Sequence, residues 1–460
     1  MNSASDTIAA IASGLAPSGI GVIRISGPEA FRAADEVMRF SGGRSAAASD
    51  GHTFLYGTAC DEDGSEIDEA IVLIMRAPHS YTGEDTAELQ CHGGPYVMRR
   101  LLMRVLSCGV RLAEPGEFTK RAFLSGRMDL SQAEAVMQLI EAENESARRA
   151  AVSSLRGDLG RRVSAVRAGL LYETAYLEAA LDDPEHISLE GYGSRLEETV
   201  KGAQSEIEDL LRMSDEGRVF AEGIRTVILG RPNAGKSTLL NLFSGYERAI
   251  VTGIPGTTRD ILEEKVRLGE LLLILTDTAG LRETSDEVEG IGVRRAYDAA
   301  EGADLIIYVV DGSLPPSAED AEMLKKAGER PVILLLNKAD EALAAPACDY
   351  EAALGRSPIV FSAKEGTGRS ELEEKIREMF FREEIFEGGS LTVANSRQKE
   401  ALISCRASLE NVLNAIREGM PEDLYTVDLV DAYTILGMIT GESVSDDLIN
   451  EIFSRFCMGK

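Results

Sequence analysis

The spacing of apolar residues changes three times along the chain, which predicts a multidomain protein. Residues 1–125 mix short β-prone runs with helical segments, a pattern typical of a small α+β domain. Residues 126–222 carry apolar positions at helical spacing and predict a helical bundle. Short apolar runs alternate with helical segments over 223–381, which predicts an α/β domain with a parallel sheet covered on both faces. Residues 382–460 are helical again, so the simplest architecture inserts the α/β domain into one helical bundle.

Local patterns place individual elements within these regions. A helix over 95–107 begins with proline, whose missing N–H costs nothing there. Ser131 and Glu134 fit a capping box at the start of the first bundle helix. A helix over 195–213 is expected to lead into the α/β domain. The expected strands are 21–25, 71–75 and 87–91 in the first domain and 226–229, 271–275, 305–310, 332–336 and 359–361 in the α/β domain.

Composition narrows the class of protein. The 460 residues are 44% hydrophobic, which is enough for real cores, and no apolar run is long enough to span a bilayer. The start of the chain has no basic segment followed by an apolar one, so no secretory signal is expected. Six cysteines are scattered without a C-x-x-C pair, which argues against a disulfide framework or a zinc site and favours a reducing cytoplasm.

The net charge of −29 limits how the chain meets nucleic acid. Because attraction to phosphates dominates nucleic-acid affinity, so acidic a chain needs a local basic patch or a partner that supplies one. The predicted bundle has such a patch, although a solvated helix face explains it as well. The residues of this patch are Arg148, Arg149, Arg156, Arg161, Arg162 and Arg167.

The strongest chemical signal is G-R-P-N-A-G-K-S at 230–237, the pattern of a phosphate-binding loop. It follows a predicted strand and precedes a predicted helix, which places backbone N–H groups around a phosphate at a positive helix end. Lys236 is expected to reach the terminal phosphates, and the Ser237 hydroxyl to bind Mg²⁺. A glycine turn between strand and helix is the plain structural alternative.

Further motifs stand at the ends of successive predicted strands. D-T-A-G (277–280) is typical of a γ-phosphate and magnesium loop, and Asp340 of N-K-A-D can accept two hydrogen bonds from guanine that adenine does not offer. S-A-K (362–364) can brace the same base. A loop with G-T-T-R-D is similar to a switch segment, with Thr258 as a second magnesium ligand. The candidate GTP-binding residues are Asn233, Ala234, Gly235, Lys236, Ser237, Thr238, Thr252, Gly253, Ile254, Pro255, Gly256, Thr257, Thr258, Asp277, Thr278, Ala279, Gly280, Asn337, Lys338, Asp340, Ser362, Ala363 and Lys364.

The order of these motifs is that of the Ras-like GTPases, with one departure. Where Ras-like proteins carry a glutamine that orients the attacking water, this chain has Leu281. Leucine neither orients water nor accepts a proton, so another group must supply that function or hydrolysis is slow. Arg282, Glu283 and Glu289 are the nearby candidates.

Over essentially its whole length, the chain resembles the MnmE (TrmE) family of tRNA modification GTPases. The C-terminal tail, 456–460, is the most specific part of the resemblance, and other P-loop GTPases lack both this tail and the first domain. The motifs that carry the resemblance are G-R-P-N-A-G-K-S (230–237), I-x-G-T-T-R-D (254–260), D-T-A-G-L-R-E-T-S-D-E-V-E (277–289), R-I-S-G (24–27), T-G-E-D (82–85), H-G-G-P (92–95), P-G-E-F (115–118), R-A-F-L (121–124) and F-C-M-G-K (456–460).

The resemblance implies an activity and partners. The family adds an aminomethyl or carboxymethylaminomethyl group to C5 of the wobble uridine, position 34, of certain tRNAs. It acts as a homodimer through the first domain and in a complex with MnmG (GidA), which uses FAD and NADH. The first domain binds 5-formyltetrahydrofolate or a related folate. Matched by motif, the folate contacts fall on Arg24, Glu88, Arg127 and Lys460, with arginine at 127 where some members have lysine.

The resemblance also implies how Leu281 is compensated. In the family, the GTPase domains pair across the nucleotides and K⁺ takes the place of an arginine finger. The matching K⁺ ligands are Asn233, Thr252, Ile254 and Thr257. Glu289 matches the glutamate that positions water indirectly, and Arg282 is a further catalytic candidate.

The tail cysteine, Cys457, matches one implicated in the modification chemistry. A buried structural cysteine is the alternative, although Gly459 and Lys460 suggest a mobile, cationic terminus. His92 beside Gly93 is a weaker candidate, since a histidine at a strand end is more often structural. Two other functions stay open: a ribosome-assembly GTPase related to Era or Der, and a nucleotide-gated scaffold without chemistry of its own.

Overall fold

The computed structural model divides the chain into two units. The first comprises 1–140, 154–207 and 400–460, and the second comprises 141–153 and 208–399. The main segment of the second unit therefore interrupts the first along the chain, as the insertion prediction requires. The residues that the structure describes are 6–142, 144–244, 264–269, 271–275, 302–326, 330–380 and 395–459.

Both units contain a sheet and helices. The strands are β1 (Ile8–Ile11), β2 (Ser18–Ser26), β3 (Met38–Phe40), β4 (Thr53–Cys60), β5 (Glu66–Met75), β6 (Thr86–Gly93), β7 (Arg111–Leu112), β8 (Ile224–Leu229), β9 (Glu264–Leu268), β10 (Leu271–Leu275), β11 (Leu305–Asp311), β12 (Val332–Asn337) and β13 (Pro358–Val360). The helices are α1 (Ala30–Val37), α2 (Pro95–Ser107), α3 (Glu117–Leu124), α4 (Leu130–Glu141), α5 (Glu145–Leu155), α6 (Asp158–Asp182), α7 (Tyr192–Glu222), α8 (Lys236–Ser244), α9 (Ala318–Lys326), α10 (Ala347–Leu354), α11 (Arg369–Phe380), α12 (Ser396–Arg417), α13 (Asp423–Thr440) and α14 (Asp446–Ser454).

The sheet of the first unit has the strand order β3-β4-β5-β6-β2-β1-β7. Strand β7 runs parallel to β1, and the other neighbours are antiparallel. Successive residues of a strand face opposite sides. Ile23, Ile25 and Leu89 face the side that α1 and α2 cover, and they join these helices in one apolar core. Arg24 of β2 faces the other side, directly across from Glu88 of β6.

The helices before and after the insertion pack together, which confirms the single bundle. Helix α6 lies along α13. On α6, Arg167 donates from Nε to the Tyr433 carbonyl at 3.2 Å, pairs with Glu442 at 2.6 Å, and stacks over the Tyr433 ring. The apolar stripe of α14 is buried through Ile449 and Phe453 against α3 and α4.

The start of α4 corrects the predicted capping box. Helix α4 begins one residue before Ser131, and Asp129 is the capping residue. Its carboxylate accepts from the Gln132 N–H at 2.8 Å, while Gln132 Oε1 accepts from the Asp129 N–H at 2.9 Å. The reciprocal pair therefore uses Asp129 and Gln132, and Glu134 has no part in it. The predicted helix over 195–213 is also too short, since α7 runs from Tyr192 to Glu222.

The sheet of the second unit has the order β13-β12-β11-β8-β10-β9. Both its faces are covered: Ile307 and Val309 of β11 lie in one apolar cluster, while Ile306 and Val310 lie in another. The five predicted strands are present, with ends shifted by up to two residues. The all-parallel prediction is wrong at one edge, because β9 pairs antiparallel with β10. Only alternate residues of β9 are buried, so it lacks the continuous apolar run that revealed the other strands.

Within the described part of the chain, no helix has the length and hydropathy of a membrane span.

Candidate functional site

The phosphate loop connects β8 to α8 in the second unit. Gly230 follows β8 at φ +144°, and a Cβ there would overlap the Val309 carbonyl oxygen. Gly235 precedes α8 at φ +97°, and a Cβ there would overlap the Asn337 side chain. The loop therefore requires glycine at both ends of its tight path. Lys236 folds back across the loop and donates from Nζ to the carbonyls of Gly230 and Arg231, at 2.8 and 2.7 Å. Burial lowers the pKa of its ammonium.

Asn337 joins this loop to the S-A-K loop. Its Nδ2 donates to the Ala234 carbonyl at 2.8 Å, and its Oδ1 accepts from the Ala363 N–H at 2.9 Å. The side chain is buried. The sequence placed Asn337 among the GTP-binding residues. The structure shows that it braces the loops on either side.

Asp340 is the group expected to recognise guanine, and its carboxylate is held in place. Ser362 Oγ donates to Asp340 Oδ1 at 2.7 Å, and Lys364 Nζ lies 3.6 Å from Oδ2. The hydrogen bond from Ser362 keeps the pKa of Asp340 below its usual value. The carboxylate is therefore ionised at neutral pH, as acceptance of two hydrogen bonds requires. The three predicted loops, 233–238, 337–340 and 362–364, thus meet at the carboxyl ends of β8, β12 and β13.

Sequence reasoning missed Asp311, the last residue of β11. Lys338 Nζ lies 2.6 Å from Asp311 Oδ2. Its position could have indicated a role, because it ends a strand at the carboxyl edge of the sheet, where the nucleotide-binding motifs also lie.

Many predicted site residues lie outside the described residues. They are Thr252, Gly253, Ile254, Pro255, Gly256, Thr257, Thr258, Asp277, Thr278, Ala279, Gly280, Arg282, Glu289 and Lys460.

A second candidate site lies on the face of the first unit's sheet opposite α1 and α2. Arg24 Nε donates to Glu88 Oε1 at 2.7 Å, and the guanidinium carbon lies 5.1 Å from the Tyr81 ring and 5.5 Å from the Phe118 ring. The arginine is therefore held by a carboxylate and two aromatic faces. Arg127 is exposed just after α3, and its backbone N–H donates to the Ala122 carbonyl at 3.0 Å.

The tail of the chain lies against this site, which corrects the expectation of a mobile terminus. Arg24 Nη1 donates to the Gly459 carbonyl at 3.4 Å. Gly459 is buried at φ +90°, and a Cβ there would overlap the Ile11 carbonyl oxygen. The Gly116 N–H donates to the Cys457 carbonyl at 3.4 Å. Cys457 itself is exposed, so it is not the buried structural cysteine of the alternative interpretation.

A buried charge cluster supports the same region. Arg121 lies 2.6 Å from Asp6 Oδ1, 3.2 Å from Glu84 Oε1 and 3.1 Å from Glu117 Oε1. Ser26 Oγ donates to Glu84 Oε2 at 2.7 Å. R-I-S-G, T-G-E-D, P-G-E-F and R-A-F-L thus each contribute at least one residue to one network. These motifs, scattered in sequence, are a single structural feature.

The two weaker candidates have structural explanations. His92 is exposed on the sheet, with Nδ1 2.8 Å from Asp68 Oδ1, and the hydrogen bond to that carboxylate raises the pKa of the imidazole. In the basic patch, Arg148 pairs with Glu145 at 2.6 Å and Arg162 with Glu206 at 2.5 Å. Arg161 pairs with Asp158, and Arg167 with Glu442. Acidic neighbours therefore balance much of the positive charge.

A phosphate loop braced against N-K-A-D and S-A-K loops at the carboxyl edge of a sheet defines a P-loop GTPase domain, here inserted into a helical bundle that follows an α+β domain. The protein-family model for the MnmE helical domain matches residues 130–457, and the family model for the GTP-binding protein TrmE N-terminus matches residues 7–127. The chain belongs to the MnmE (TrmE) family.

Full-length relatives agree with this assignment. The chain is 50% identical to the tRNA modification GTPase MnmE of Lachnoclostridium phytofermentans, 46% to that of Heliobacterium modesticaldum and 44% to that of Symbiobacterium thermophilum. In each case 99% of both chains is covered.

Proposed function

We propose that this chain hydrolyses GTP in the modification of tRNA. With an FAD-dependent partner, it adds an aminomethyl or carboxymethylaminomethyl group to C5 of the wobble uridine. One observation carries the nucleotide half of the proposal. Asn337 links the phosphate loop to the S-A-K loop, while Asp340 on the neighbouring turn presents an ionised carboxylate suited to guanine. The phosphate end and the base end of a GTP pocket are thereby held as one structure.

GTP hydrolysis forms a bond from a water oxygen to the γ-phosphorus as the bond to the β–γ bridging oxygen breaks. Lys236, half-buried in the loop, supplies positive charge for the phosphates. Ser237 and Thr258 would hold Mg²⁺, which neutralises phosphate charge when bound. Glu289 would position the water indirectly, and Arg282 is the second catalytic candidate, since Leu281 offers no polar atom.

Asn233, Thr252, Ile254 and Thr257 would hold K⁺, which adds positive charge where an arginine finger acts in other GTPases. Asn233 is held at φ +61°, a left-handed conformation that asparagine tolerates better than most residues. The K⁺ role would require two GTPase domains to pair across their nucleotides.

The first unit would bind the one-carbon donor, a 5-formyltetrahydrofolate or related folate, through Arg24, Glu88, Arg127 and Lys460. Support comes from the aromatic walls around Arg24 and from its contact with the tail, two residues from Cys457. An exposed Cys457 beside such a site is suited to nucleophilic chemistry.

We further propose a homodimer through the first domain, a complex with MnmG (GidA) and tRNA, and a cytoplasmic location. The domain limits we propose are 1–125 for the α+β domain, 126–222 and 382–460 for the helical domain, and 223–381 for the GTPase domain.

GTP turnover in potassium chloride and in sodium chloride at equal ionic strength tests the mechanism. We expect strong potassium-specific stimulation, which Asn233→Ala removes. Equal rates in the two salts would refute the potassium role and leave GTP binding intact.

Two measurements separate the other functions. Wobble uridines that are normal in a strain lacking this protein would favour a ribosome-assembly GTPase. Full tRNA modification by Cys457→Ser would favour the scaffold.

A further inference from the structure

The carboxyl edge of the second unit's sheet contains an ion pair between Lys338, a candidate GTP-binding residue, and Asp311, which belongs to no motif. Lys338 follows β12 in a left-handed conformation, φ +64°, which is uncommon for lysine. Its Nζ lies 2.6 Å from Asp311 Oδ2, and the two side chains are 31% and 14% exposed. The backbone conformation sets where the lysine side chain starts, and the ion pair restricts where its ammonium lies.

Asp311 is itself fixed on several sides. Its Oδ1 accepts from both the N–H and the Oγ of Ser313, at 3.0 and 2.6 Å. In the sheet it lies directly across from Asn337, and the Gly312 N–H donates to the Asn337 carbonyl at 2.8 Å. Asp311 is therefore part of the same framework that joins the phosphate loop to the base-binding loops.

The ionisation state fits this arrangement. Burial opposes the charge on Asp311, but the hydrogen bonds from Lys338 and Ser313 outweigh it and lower the pKa of the carboxyl. The carboxylate is charged at neutral pH and keeps its hold on the ammonium. A free lysine side chain would lose much rotamer freedom when it contacts a nucleotide, and the ion pair reduces that cost before binding.

We propose that Asp311 is a positioning residue for guanine-nucleotide binding, which acts by holding Lys338 in its binding position. The inference rests on the proposed GTP-binding function of this unit and adds to it a residue that no motif contains.

A double-mutant cycle on nucleotide affinity tests the proposal, with a fluorescent GDP analogue as the probe and the full-length protein. We expect Asp311→Asn to weaken binding about tenfold, within the range of couplings between residues in contact. Lys338→Met keeps an unbranched chain without the charge and should weaken binding by a similar factor. The double variant should bind no worse than Lys338→Met alone, because Asp311 acts through Lys338.

Glu373→Gln is the matched control. Glu373 pairs with Arg377 at 3.2 Å in the same unit, with a 22% exposed side chain, and it lies outside the proposed pocket. We expect its affinity to equal that of the wild type. Asp311→Glu keeps the charge and should stay within about threefold of wild type if the ion pair is what matters.

Unchanged affinity in Asp311→Asn, or losses that multiply in the double variant, would overturn the proposal. A tenfold loss of affinity caused by Asp311→Glu, both in the wild type and in Lys338→Met, would also overturn it. This comparison holds even if Asp311→Asn does not fold. Failure of the wild type to bind the GDP analogue would instead contradict the proposed function itself.

Discussion

The two candidate sites are built in opposite ways. The nucleotide site consists of short loops, each contiguous in sequence, and most of its hydrogen bonds join a side chain to a backbone group of a loop. The site of the first unit uses groups that packing brings together from distant parts of the chain, such as the Arg24 guanidinium and the Gly459 carbonyl, which are 435 positions apart. The nucleotide site should therefore depend on local backbone geometry, and the first-unit site on long-range contacts.

The largest expected effect tests the long-range side of this comparison. Arg121→Ala removes the buried cation that pairs with Glu84 and Glu117, and breaking a buried pair costs about 3–5 kcal/mol. Because Glu117 keeps its pair with Arg111, we expect a loss of about 3 kcal/mol, at the lower end of that range. We expect that loss in the unfolding transition of the first unit. Differential scanning calorimetry assigns the transitions, because GDP stabilises only the unit that binds it.

Arg100→Ala is the control for this prediction. Arg100 pairs with Asp61 at 3.0 Å, but both side chains are at least one-third exposed. Such surface pairs contribute about 0–1 kcal/mol, so this variant should melt close to the wild type. Equal losses of stability in both variants would show that the buried network stabilises the first unit no more than a surface ion pair does.

The next effect tests the local side. A methyl group at Gly235 would overlap the Asn337 side chain, and φ +97° is strained for alanine. Gly235→Ala should therefore displace the brace between the loops and weaken GDP binding by about a hundredfold, on the order of 2.7 kcal/mol.

Gly355→Ala separates backbone strain from the lost brace. Gly355 ends α10 at φ +71°, and a Cβ there would have nothing within 4 Å. We expect a stability loss of about 1 kcal/mol with normal GDP affinity. A large loss of affinity in Gly355→Ala would mean that strain anywhere in the unit disables the pocket.

The same contrast explains what the sequence revealed. Strand, loop and helix around 230–237 could be predicted because apolar runs and glycine positions are local signals. Edge strand β9 was missed because an edge strand with one buried face has no continuous apolar run. The role of Asp311 was missed because a single aspartate at a strand end belongs to no motif.

The first unit shows more clearly what local sequence patterns cannot predict. The resemblance supplied Arg24, Glu88 and the tail, but no local pattern says that Gly459 lies buried under the Ile11 carbonyl. A glycine and a lysine at a chain end suggest mobility by composition alone. Only the packing of α14 on α3 and α4 decides otherwise.

The smallest expected effect tests that packing at one residue. Gly116 precedes α3 at φ +68°, and a Cβ there would overlap the Phe453 carbonyl oxygen and lie 2.8 Å from Phe456 Cβ. Gly116→Ala should push the end of α14 away and release the tail. We expect faster hydrogen exchange over 456–459 and a loss of tRNA modification of about tenfold, the size of effect that a small misplacement of a reacting group can cause.

Gly126→Ala is a close match, because Gly126 follows the same helix at φ +73° and a Cβ there would have nothing within 4 Å. It carries the same backbone strain without the clash, so the tail should stay docked. The GDP affinity of both variants should equal that of the wild type, since neither residue belongs to the second unit. If Gly126→Ala loses modification as strongly as Gly116→Ala, strain in α3 rather than docking of the tail governs the site. If only Gly116→Ala does, the exposed Cys457 depends for its position on a glycine 341 positions earlier in the chain (457 minus 116).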